Sequence, residues 1–339
     1  MLTQIFGYIR YGILPARPLA VIRSLTSSVL LERSFGGHSG DVHPIPLSVN
    51  APSFANFNSV AVTPDGQKFV SGSGDGAIKL WNLTTGKLIR LFTGHSGHVH
   101  AVAVTPNGQK LASGSGDATA KLWNLDTGNL NRTITGGLNH VNSVAISPDG
   151  QKIASGSTGG VVKLWNLNTG QLLNTFKGHS SDVNSIAFSS DKRILVSGSS
   201  DGTIKLWDVN TGKLIRTLNG ATNVFSMTIS PDGQIIASGS HDGTIKLWDL
   251  NTGKLIQTLN GVSSVLTSLA ISPDGKTLAS NTSNQIINLW DLRTGRQLRT
   301  LLGYVSEDAE YVNSVAFSPN GQTLVSGNGD GRINIWHLP

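Results

Sequence analysis

Cysteine is absent from the 339 residues of the chain, and acidic residues are few. Without cysteine there is no disulfide framework, no thiol nucleophile and no cysteine-ligated zinc or iron–sulfur site. Only 14% of the residues are charged, and the glutamates are limited to Glu32, Glu307 and Glu310. The sequence also lacks a phosphate-binding loop, an HExxH motif and a nucleophile elbow. Because the chain has few carboxylates that could act as a catalytic acid or base, we predict no enzymatic activity and no cofactor.

Basic residues exceed acidic ones, with 26 Lys and Arg against 20 Asp and Glu and a net charge of +6. This balance is compatible with binding to a polyanion. The chain nevertheless lacks the dense Lys/Arg blocks of a dedicated nucleic-acid arm, so nucleic acid is not the partner that we expect.

Tryptophan is spaced regularly along the chain. The seven tryptophans lie at positions 81, 123, 165, 207, 248, 290 and 336, so that successive ones are 41 to 46 residues apart. Each copy contains short apolar runs with a period of two residues, separated by turn residues, which predicts four antiparallel strands per copy. The 40 glycines agree with many tight turns.

Two kinds of turn recur in the copies. The first is typified by Ser147-Pro148-Asp149-Gly150 and the second by Thr169-Gly170, and both are typical of tight hairpins. Ser190 and Lys192 replace the usual residues of the first turn in the fourth copy. We expect the strand pair around that turn to persist, while the sequence leaves the geometry of the turn open.

The repeat resembles the WD-repeat β-propeller family over residues 29 to 339. The marks are Gly-His and Trp-Asp pairs, namely Gly94-His95, Gly178-His179, Trp207-Asp208, Trp248-Asp249 and Trp290-Asp291. Other copies depart from the pattern with Asn82, Asn124, Asn166 and His337 after Trp. The resemblance implies an all-β fold, a ring of seven four-stranded antiparallel blades around a channel, and a role as a protein–protein interaction scaffold.

The sequence of the last copy predicts only three strands before Pro339. Residues 29 to 35 have the sequence VLLERSF, which resembles the fourth-strand sequence LIRLF of another copy. We therefore predict that an N-terminal strand completes the seventh blade and closes the ring, which removes a free sheet edge. The predicted domains are an N-terminal extension over residues 1–28 and a propeller over residues 29–339.

In the family that this sequence resembles, a His, a Ser, an Asp and the Trp form a hydrogen-bonded chain within a blade. Three sets fit this pattern: His38, Ser71, Asp75 and Trp81; His95, Ser113, Asp117 and Trp123; His179, Ser197, Asp201 and Trp207. Ser, His and Asp also make up a nucleophilic triad. Because the set recurs three times with a Trp, we interpret it as a buried structural network and predict no catalytic residue. The copies with Gly159 and Asn284 in place of Asp lack the network.

The blade pattern implied by the resemblance sorts the remaining residues onto two faces. The Pro-Asp-Gly and Thr-Gly turns lie on one face, called the bottom, and the other connections lie on the top. Basic side chains recur on the bottom, at Lys68, Lys87, Lys110, Lys152, Lys213, Lys254, Arg293 and Arg296. Binding of a polyanion by this ring is one alternative function.

The top face is the predicted site of partner binding. Two insertions interrupt the repeat there, one between His38 and Pro64 and one around residues 306–310. The candidates are Phe54, Phe57, Asn58, His98, His100, His140, Asp182, Phe225, His241, Tyr304, Glu307, Asp308 and Tyr311. A second alternative is a hydrolase or lyase with its site around His98, His100 and His140. These histidines with Asp182 resemble a metal-ligand set, but without a firm fourth ligand we predict no metal.

Residues 1–28 match no blade. Leu2, Ile5, Phe6, Ile9 and Ile13 would form one helical stripe, and the charged side chains of the segment are all arginine. The apolar runs are too short for a membrane span, and no basic residue precedes them as in a signal peptide. A membrane-surface anchor, a docking helix and a disordered tail stay open. We expect a monomeric propeller in the cytoplasm whose partners are other proteins or peptides.

Overall fold

A computed structural model describes residues 30–36, 59–135, 139–260, 265–283, 286–302, 312–328 and 331–338. Within these ranges the regular structure is entirely strand, in seven four-stranded antiparallel sheets. The predicted fold class, an all-β propeller with seven blades, is confirmed. Residues 1–28, the predicted N-terminal extension, lie outside the described ranges.

Six blades are built from four consecutive strands each, and the seventh combines the two ends of the described chain. The strands of blades 1 to 3 are β2 (Ser59–Val62), β3 (Lys68–Gly72), β4 (Ile78–Asn82), β5 (Leu88–Phe92); β6 (Val99–Val104), β7 (Lys110–Ser115), β8 (Ala120–Asn124), β9 (Leu130–Ile134); β10 (Val141–Ile146), β11 (Lys152–Ser157), β12 (Val161–Asn166) and β13 (Leu172–Lys177). Those of blades 4 and 5 are β14 (Val183–Phe188), β15 (Ile194–Ser199), β16 (Thr203–Asp208), β17 (Leu214–Asn219); β18 (Val224–Ile229), β19 (Ile235–Ser240), β20 (Ile245–Asp249) and β21 (Leu255–Leu259). Those of blades 6 and 7 are β22 (Leu266–Ile271), β23 (Thr277–Thr282), β24 (Ile286–Asp291), β25 (Gln297–Leu302); β26 (Val312–Phe317), β27 (Thr323–Asn328), β28 (Arg332–His337) and β1 (Leu30–Gly36).

Blade 7 is closed by the N-terminal strand. Strand β1 pairs antiparallel with β28, so that Leu31 lies opposite Trp336 and Ser34 opposite Asn334. The sheet order β1-β28-β27-β26 makes β1 the outermost strand of the blade. The predicted closure is therefore confirmed, and the ring is held together by pairing of strands from the two ends of the described chain.

The hydrophobic core is divided into seven clusters, one in each gap between neighbouring blades. In the gap between blades 1 and 2, for example, Ile78 and Phe92 of blade 1 pack with Val99, Leu111 and Trp123 of blade 2. The gap between blades 7 and 1 is filled in the same way. Every blade thus buries both of its faces against neighbours, and the cluster between blades 7 and 1 forms only when the ring closes.

Close packing between blades requires glycine in the second strand of several blades. A Cβ added to Gly114 would lie 2.5 Å from Cγ1 of Val141 in the next blade. Since real Cβ atoms do not approach other atoms so closely, this position admits no side chain without a shift of the blades.

The first turn of each blade is fixed by its own side chains. In blade 3 the Ser147 hydroxyl donates to Oδ1 of Asp149 (2.5 Å) and accepts from the Lys152 amide (2.9 Å). Gly150 has a φ of 68°, and Lys192 adopts the equivalent conformation in blade 4 with a φ of 59°. The Lys192 amide donates to the Ser189 carbonyl oxygen at 2.8 Å, as Gly150 does to Ser147. The fourth copy therefore retains the turn geometry despite its different residues.

Candidate partner-binding face

The blade networks are built from one side chain of the entry loop, one of the second strand, one of the next turn and the Trp of the third strand. In blade 2, His95 contacts Oδ2 of Asp117 through Nδ1 and Oγ of Ser113 through Nε2, both at 2.7 Å, and Trp123 Nε1 donates to Ser113 at 2.9 Å. The predicted four residues of this blade thus form one hydrogen-bonded chain.

Blade 4 contains the same chain. His179 lies 2.8 Å from Asp201 and 2.8 Å from Ser197, and Trp207 donates to Ser197 at 2.8 Å. Burial lowers the pKa of His179, against the opposing effect of Asp201. Although burial acts to raise the pKa of Asp201, hydrogen bonds from Thr203, the Ser180 amide and His179 lower it to about 2. The serine is fully buried and already bonded by Trp and His, so it is not placed to attack a substrate.

The hydrogen bond from Trp to Ser also occurs in blades that lack the complete network. It measures 2.8 to 3.1 Å in blades 1, 2, 4, 5, 6 and 7. Blade 6 therefore keeps this part of the network although it lacks the His. In blade 3, by contrast, Oγ of Ser155 is buried and has no hydrogen-bond partner among the described residues. His38, the predicted network histidine of blade 1, lies outside the described ranges.

The first strands of all seven blades line the central channel. At one equivalent position in six blades, its wall includes His100, Asn142, Asn184, Phe225, Thr267 and Asn313. These strands begin at the top face, where the connections from the preceding blade arrive. The channel mouth is thus the point on the top face where contributions from most blades converge.

Three histidines lie on the top face near blades 2 and 3. The rings of His98 and His100 stack with centroids 6.2 Å apart, and His98 and His140 are exposed. Burial, together with the neighbouring His98 and His140, lowers the pKa of His100 to about 4, so this ring is neutral at pH 7. In the part of the chain that the structure describes, no three His, Asp or Glu side chains are arranged to hold a metal ion.

Side chains at the mouth tie neighbouring blades together. Asn142 Nδ2 donates to the Val183 carbonyl oxygen of blade 4 at 3.3 Å, and Asn184 Nδ2 donates to the Val224 carbonyl oxygen of blade 5 at 2.9 Å. Asp182 of blade 4 accepts from the Gly159 amide of blade 3 at 2.9 Å. The ring of Phe225 lies 5.9 Å from that of His241, which enters from the turn between β19 and β20. The structure thus groups Asn142, Asp182, Asn184 and Phe225 around blades 3 to 5.

A ring of serines deeper in the channel was not anticipated by the sequence analysis. In six of the seven gaps, a serine of one first strand accepts a hydrogen bond from a backbone amide of the neighbouring first strand, at 3.0 to 3.2 Å. The serines are Ser59, Ser143, Ser185, Ser226, Ser268 and Ser314, and Ala101 stands at the equivalent position in blade 2. Recurrence of serine at one position of the copies was the available signal.

Some of the cations on the bottom face lie beside acceptors. Lys68 lies 3.6 Å from Asp126 of the next blade, and Lys192 lies 3.3 Å from Asp149. Lys110 donates to Oδ1 of Asn168 at 2.8 Å. Each of these three basic side chains of the bottom face therefore lies beside an acceptor.

Several predicted partner-binding residues cannot be located in the described ranges. They are Phe54, Phe57, Asn58, Tyr304, Glu307, Asp308 and Tyr311. The candidates that the structure does describe are His98, His100, His140, Asp182, Phe225 and His241. No helix long and apolar enough to cross a membrane occurs among the described residues. The cytoplasmic location stays a prediction.

Comparison with known proteins finds two family models. Residues 140–339 match the model described as the IFT122 first beta-propeller, which is more than half of the chain. Residues 31–82 and 86–124 match the WD domain, G-beta repeat model. A stretch of 46 residues is 48% identical to the Periodic tryptophan protein 2 homolog of Dictyostelium discoideum. That stretch covers 14% of this chain and 5% of the Dictyostelium protein.

Proposed function

The chain belongs to the WD-repeat β-propeller family, and from that premise we propose that it is a non-enzymatic scaffold that binds proteins or peptides on its top face. Propellers of this family generally serve protein interaction. The fold supports this role, because seven rigid blades present their connecting loops on a common surface. Partner binding then requires only side chains of the proper kind at the channel mouth.

The observation that carries the proposal is a difference between the two faces. On the bottom, most first turns repeat one arrangement in which a Ser or Thr hydroxyl bonds the turn Asp, as in Ser147–Asp149 and Ser272–Asp274. At the mouth, the equivalent positions of three blades carry His100, Phe225 and Thr267, which differ in size, polarity and hydrogen bonding, and those of three others carry Asn. A surface that varies where the scaffold otherwise repeats is suited to recognise a particular partner.

The site extends, in this proposal, toward blades 7 and 1. The sequence has its two insertions in the connections that enter these blades. They contribute aromatic side chains and acids that suit a binding surface, Phe54, Phe57, Tyr304, Glu307, Asp308 and Tyr311. This extension rests on the sequence pattern alone.

The alternatives have less support. For the hydrolase or lyase, His100 is buried with a pKa of about 4 and stacks on His98. A general base that works near neutral pH needs a pKa closer to 7. For the polyanion binder, the bottom cations Lys68 and Lys192 lie beside Asp126 and Asp149, which reduces the field available to a polyanion.

Affinity capture with variants of the full chain tests the proposal. Wild-type protein is used to capture partners from cell extract, and the main partner is identified. We expect capture to be lost in Phe225→Ala with His241→Ala, in Tyr311→Ala and in a deletion of residues 43–55, each with a nearly unchanged melting temperature. Lys213→Ala with Lys254→Ala, on the bottom face, serves as the matched control and retains the partner. Release by the bottom variant with retention by the top variants would contradict the proposal.

A further inference from the structure

The exposed aliphatic side chains of the ring lie on the outermost strands of the blades. Among the residues that the structure describes, every exposed leucine or isoleucine belongs to the fourth strand of a blade. Strand β5 of blade 1 carries three of them, Leu88, Ile89 and Leu91, which are 43 to 51% exposed, and no other outermost strand carries more than two among these residues. Blade 1 therefore has the most apolar part of the described rim.

Leu91 interrupts a polar pattern of the outermost strands. The equivalent residue is Thr in blades 2 to 6. In blade 2 this residue, Thr133, accepts a hydrogen bond from Nζ of Lys121 on the third strand at 3.2 Å. Leu91 lies opposite Lys79 in the same register but has no hydroxyl group. Blade 1 thus places an apolar side chain where another blade makes a polar contact.

The chain enters the ring beside this patch. Leu30, the first residue of β1, lies opposite His337, and His337 lies opposite Thr323, which follows the first turn of blade 7. Leu88 begins β5 just after the second turn of blade 1. Both turns belong to the bottom face. Since blades 7 and 1 are neighbours, the two strands begin at the same edge of adjacent blades.

The residues before β1 contain an apolar stripe that suits the patch. This part of the chain lies outside the described ranges, and its pattern comes from the sequence. Positions 2, 5, 6, 9 and 13 are Leu, Ile, Phe, Ile and Ile, a spacing that places them on one side of a helix. Residues 14–29 connect the stripe to β1, and a connection of this length reaches roughly 20 Å. Sheets packed face to face lie about 10 Å apart, so both neighbours of blade 7 are within reach.

Blade 6, the other neighbour of blade 7, offers a smaller apolar surface. Its outermost strand begins with Gln297, where blade 1 has Leu88. Its exposed leucines, Leu298 and Leu302, lie near opposite ends of the strand, roughly 13 Å apart. The three aliphatic side chains of blade 1 lie within one short stretch of β5. The apolar surface within reach of the stripe is therefore largest on blade 1.

We propose that residues 2–13 form an amphipathic helix that packs its apolar stripe against Leu88, Ile89 and Leu91 of blade 1. The helix removes aliphatic surface of both partners from water, which stabilises the contact. Because the segment leaves blade 7 and docks on blade 1, it straps the closing gap of the ring from outside. The inference goes beyond the proposed function, since it concerns the outer rim and not the channel mouth.

Cross-linking of paired cysteines tests the inference on the full chain, which has no cysteine of its own. Thr3→Cys is combined with Lys87→Cys, next to β5, or with Arg296→Cys, at the equivalent exposed position of blade 6. Because blades 1 and 6 both adjoin blade 7, a tether alone serves both positions, and a difference in yield reports docking. With a short bismaleimide we expect about fivefold more intramolecular product for Lys87→Cys than for Arg296→Cys.

Variants of the segment test the helical stripe. Ile5→Asp with Ile9→Asp introduces charge on the stripe and should lower the yield with Lys87→Cys to the level of Arg296→Cys. Gln4→Asp with Tyr11→Asp places the same charges on the opposite side of the helix and is the matched control. It should leave the yield unchanged.

A variant of the rim tests the patch. Leu91→Thr introduces the residue that blades 2 to 6 carry, so the fold should keep its melting temperature while the yield with Lys87→Cys falls about threefold. Leu173→Thr makes the same change at an exposed position on the outermost strand of blade 3 and should have no effect on the yield.

The inference is overturned by equal yields for Lys87→Cys and Arg296→Cys, or by a yield that does not respond to Ile5→Asp with Ile9→Asp. Mixed chains of two isotopic compositions reveal product that joins two copies, and predominance of that product would assign the patch to a second copy instead. Sedimentation of the chain with phosphatidylcholine–phosphatidylserine vesicles, with no preference for Lys87→Cys, would assign the stripe to a membrane surface instead. None of these results depends on partner capture at the top face, so the proposed function is tested separately.

Discussion

Oγ of Ser314 in blade 7 accepts a hydrogen bond from the backbone amide of Val60 in blade 1, at 3.2 Å. The bond joins the blade completed by the N-terminal strand to the blade that follows it. It repeats the contact that Ser185 makes with Met227 between blades 4 and 5, at 3.0 Å. The closing gap of the ring is thus built at the channel like the other gaps, while the pairing of β1 with β28 closes the blade at the rim.

Removal of the N-terminal strand should destabilise the ring. A chain without residues 1–36 loses β1, and the edge of β28 becomes available for pairing with other chains. We expect a lower melting temperature and the formation of oligomers, measured by thermal unfolding and by light scattering. A truncated chain that remains monomeric and melts at the wild-type temperature would refute the role of β1 in closure.

The serine ring makes a prediction about single hydroxyl groups. Ser185→Ala removes the acceptor for the Met227 amide, and we expect it to lower the free energy of unfolding by about 1 kcal/mol. Ala101→Ser adds an acceptor at the one position of the ring that lacks it and should raise the free energy by about 0.5–1 kcal/mol. Urea denaturation measures both. Equal effects of the two changes, in sign as well as size, would show that the serines do not act through these bonds.

The fold was predictable from the sequence to the extent that it depends on local pattern. The regularly spaced tryptophans from Trp81 to Trp336 give the number of blades. The similarity of residues 29–35 to a fourth strand identifies the closing strand. Both follow from residues that recur in the copies, and a repeat specifies its own strands and turns. Turn conformation was less predictable, since Lys192 adopts a positive φ that the usual glycine would have signalled.

The candidate site was less predictable, because it depends on contacts between blades. The sequence indicates that His98 and His100 begin a first strand, but the stacking of the two rings depends on side-chain conformation. Likewise the amide orientation of Asn142 depends on the position of Val183 in the next blade. Such contacts are set by the curvature of the ring, which no single copy encodes. The unpaired Oγ of Ser155 was not predictable either, since other blades have the same Ser and Trp and form the bond.

Blade 3 should exchange its amide hydrogens faster than blade 4. It lacks the His and Asp of the network, and Ser155 does not bond Trp165, whereas His179, Ser197 and Trp207 of blade 4 are linked. Each missing bond removes about 1 kcal/mol from the local stability, which corresponds to roughly fivefold faster exchange from opened states. Hydrogen exchange with mass spectrometry of β11 and β12 against β15 and β16 measures the difference. Equal protection of the two blades would contradict it.

His100 should make the stability of the protein depend on pH. Its pKa is lowered to about 4, first by burial and then by His98 and His140, with Asp117 acting in the opposite direction. In the unfolded chain the pKa of His is about 6.5. Below that pH the unfolded chain binds a proton that the folded protein does not. The free energy of unfolding therefore decreases as the pH is lowered from about 6.5 to about 4. From pH 7.5 to pH 5 the loss from this residue is about 2 kcal/mol.

The substitution His100→Asn isolates this contribution, because Asn142 and Asn184 occupy the equivalent position in the next two blades. We expect the variant to lose less stability than wild type between pH 7.5 and pH 5, by about 2 kcal/mol in urea denaturation. Some dependence on pH remains, since burial also lowers the pKa of His95 and His179, and their effect has the same sign. His241→Asn, at an exposed position, serves as the control and should behave as wild type. If His100→Asn loses as much stability as wild type over this range, the buried ring is not the group that responds to pH.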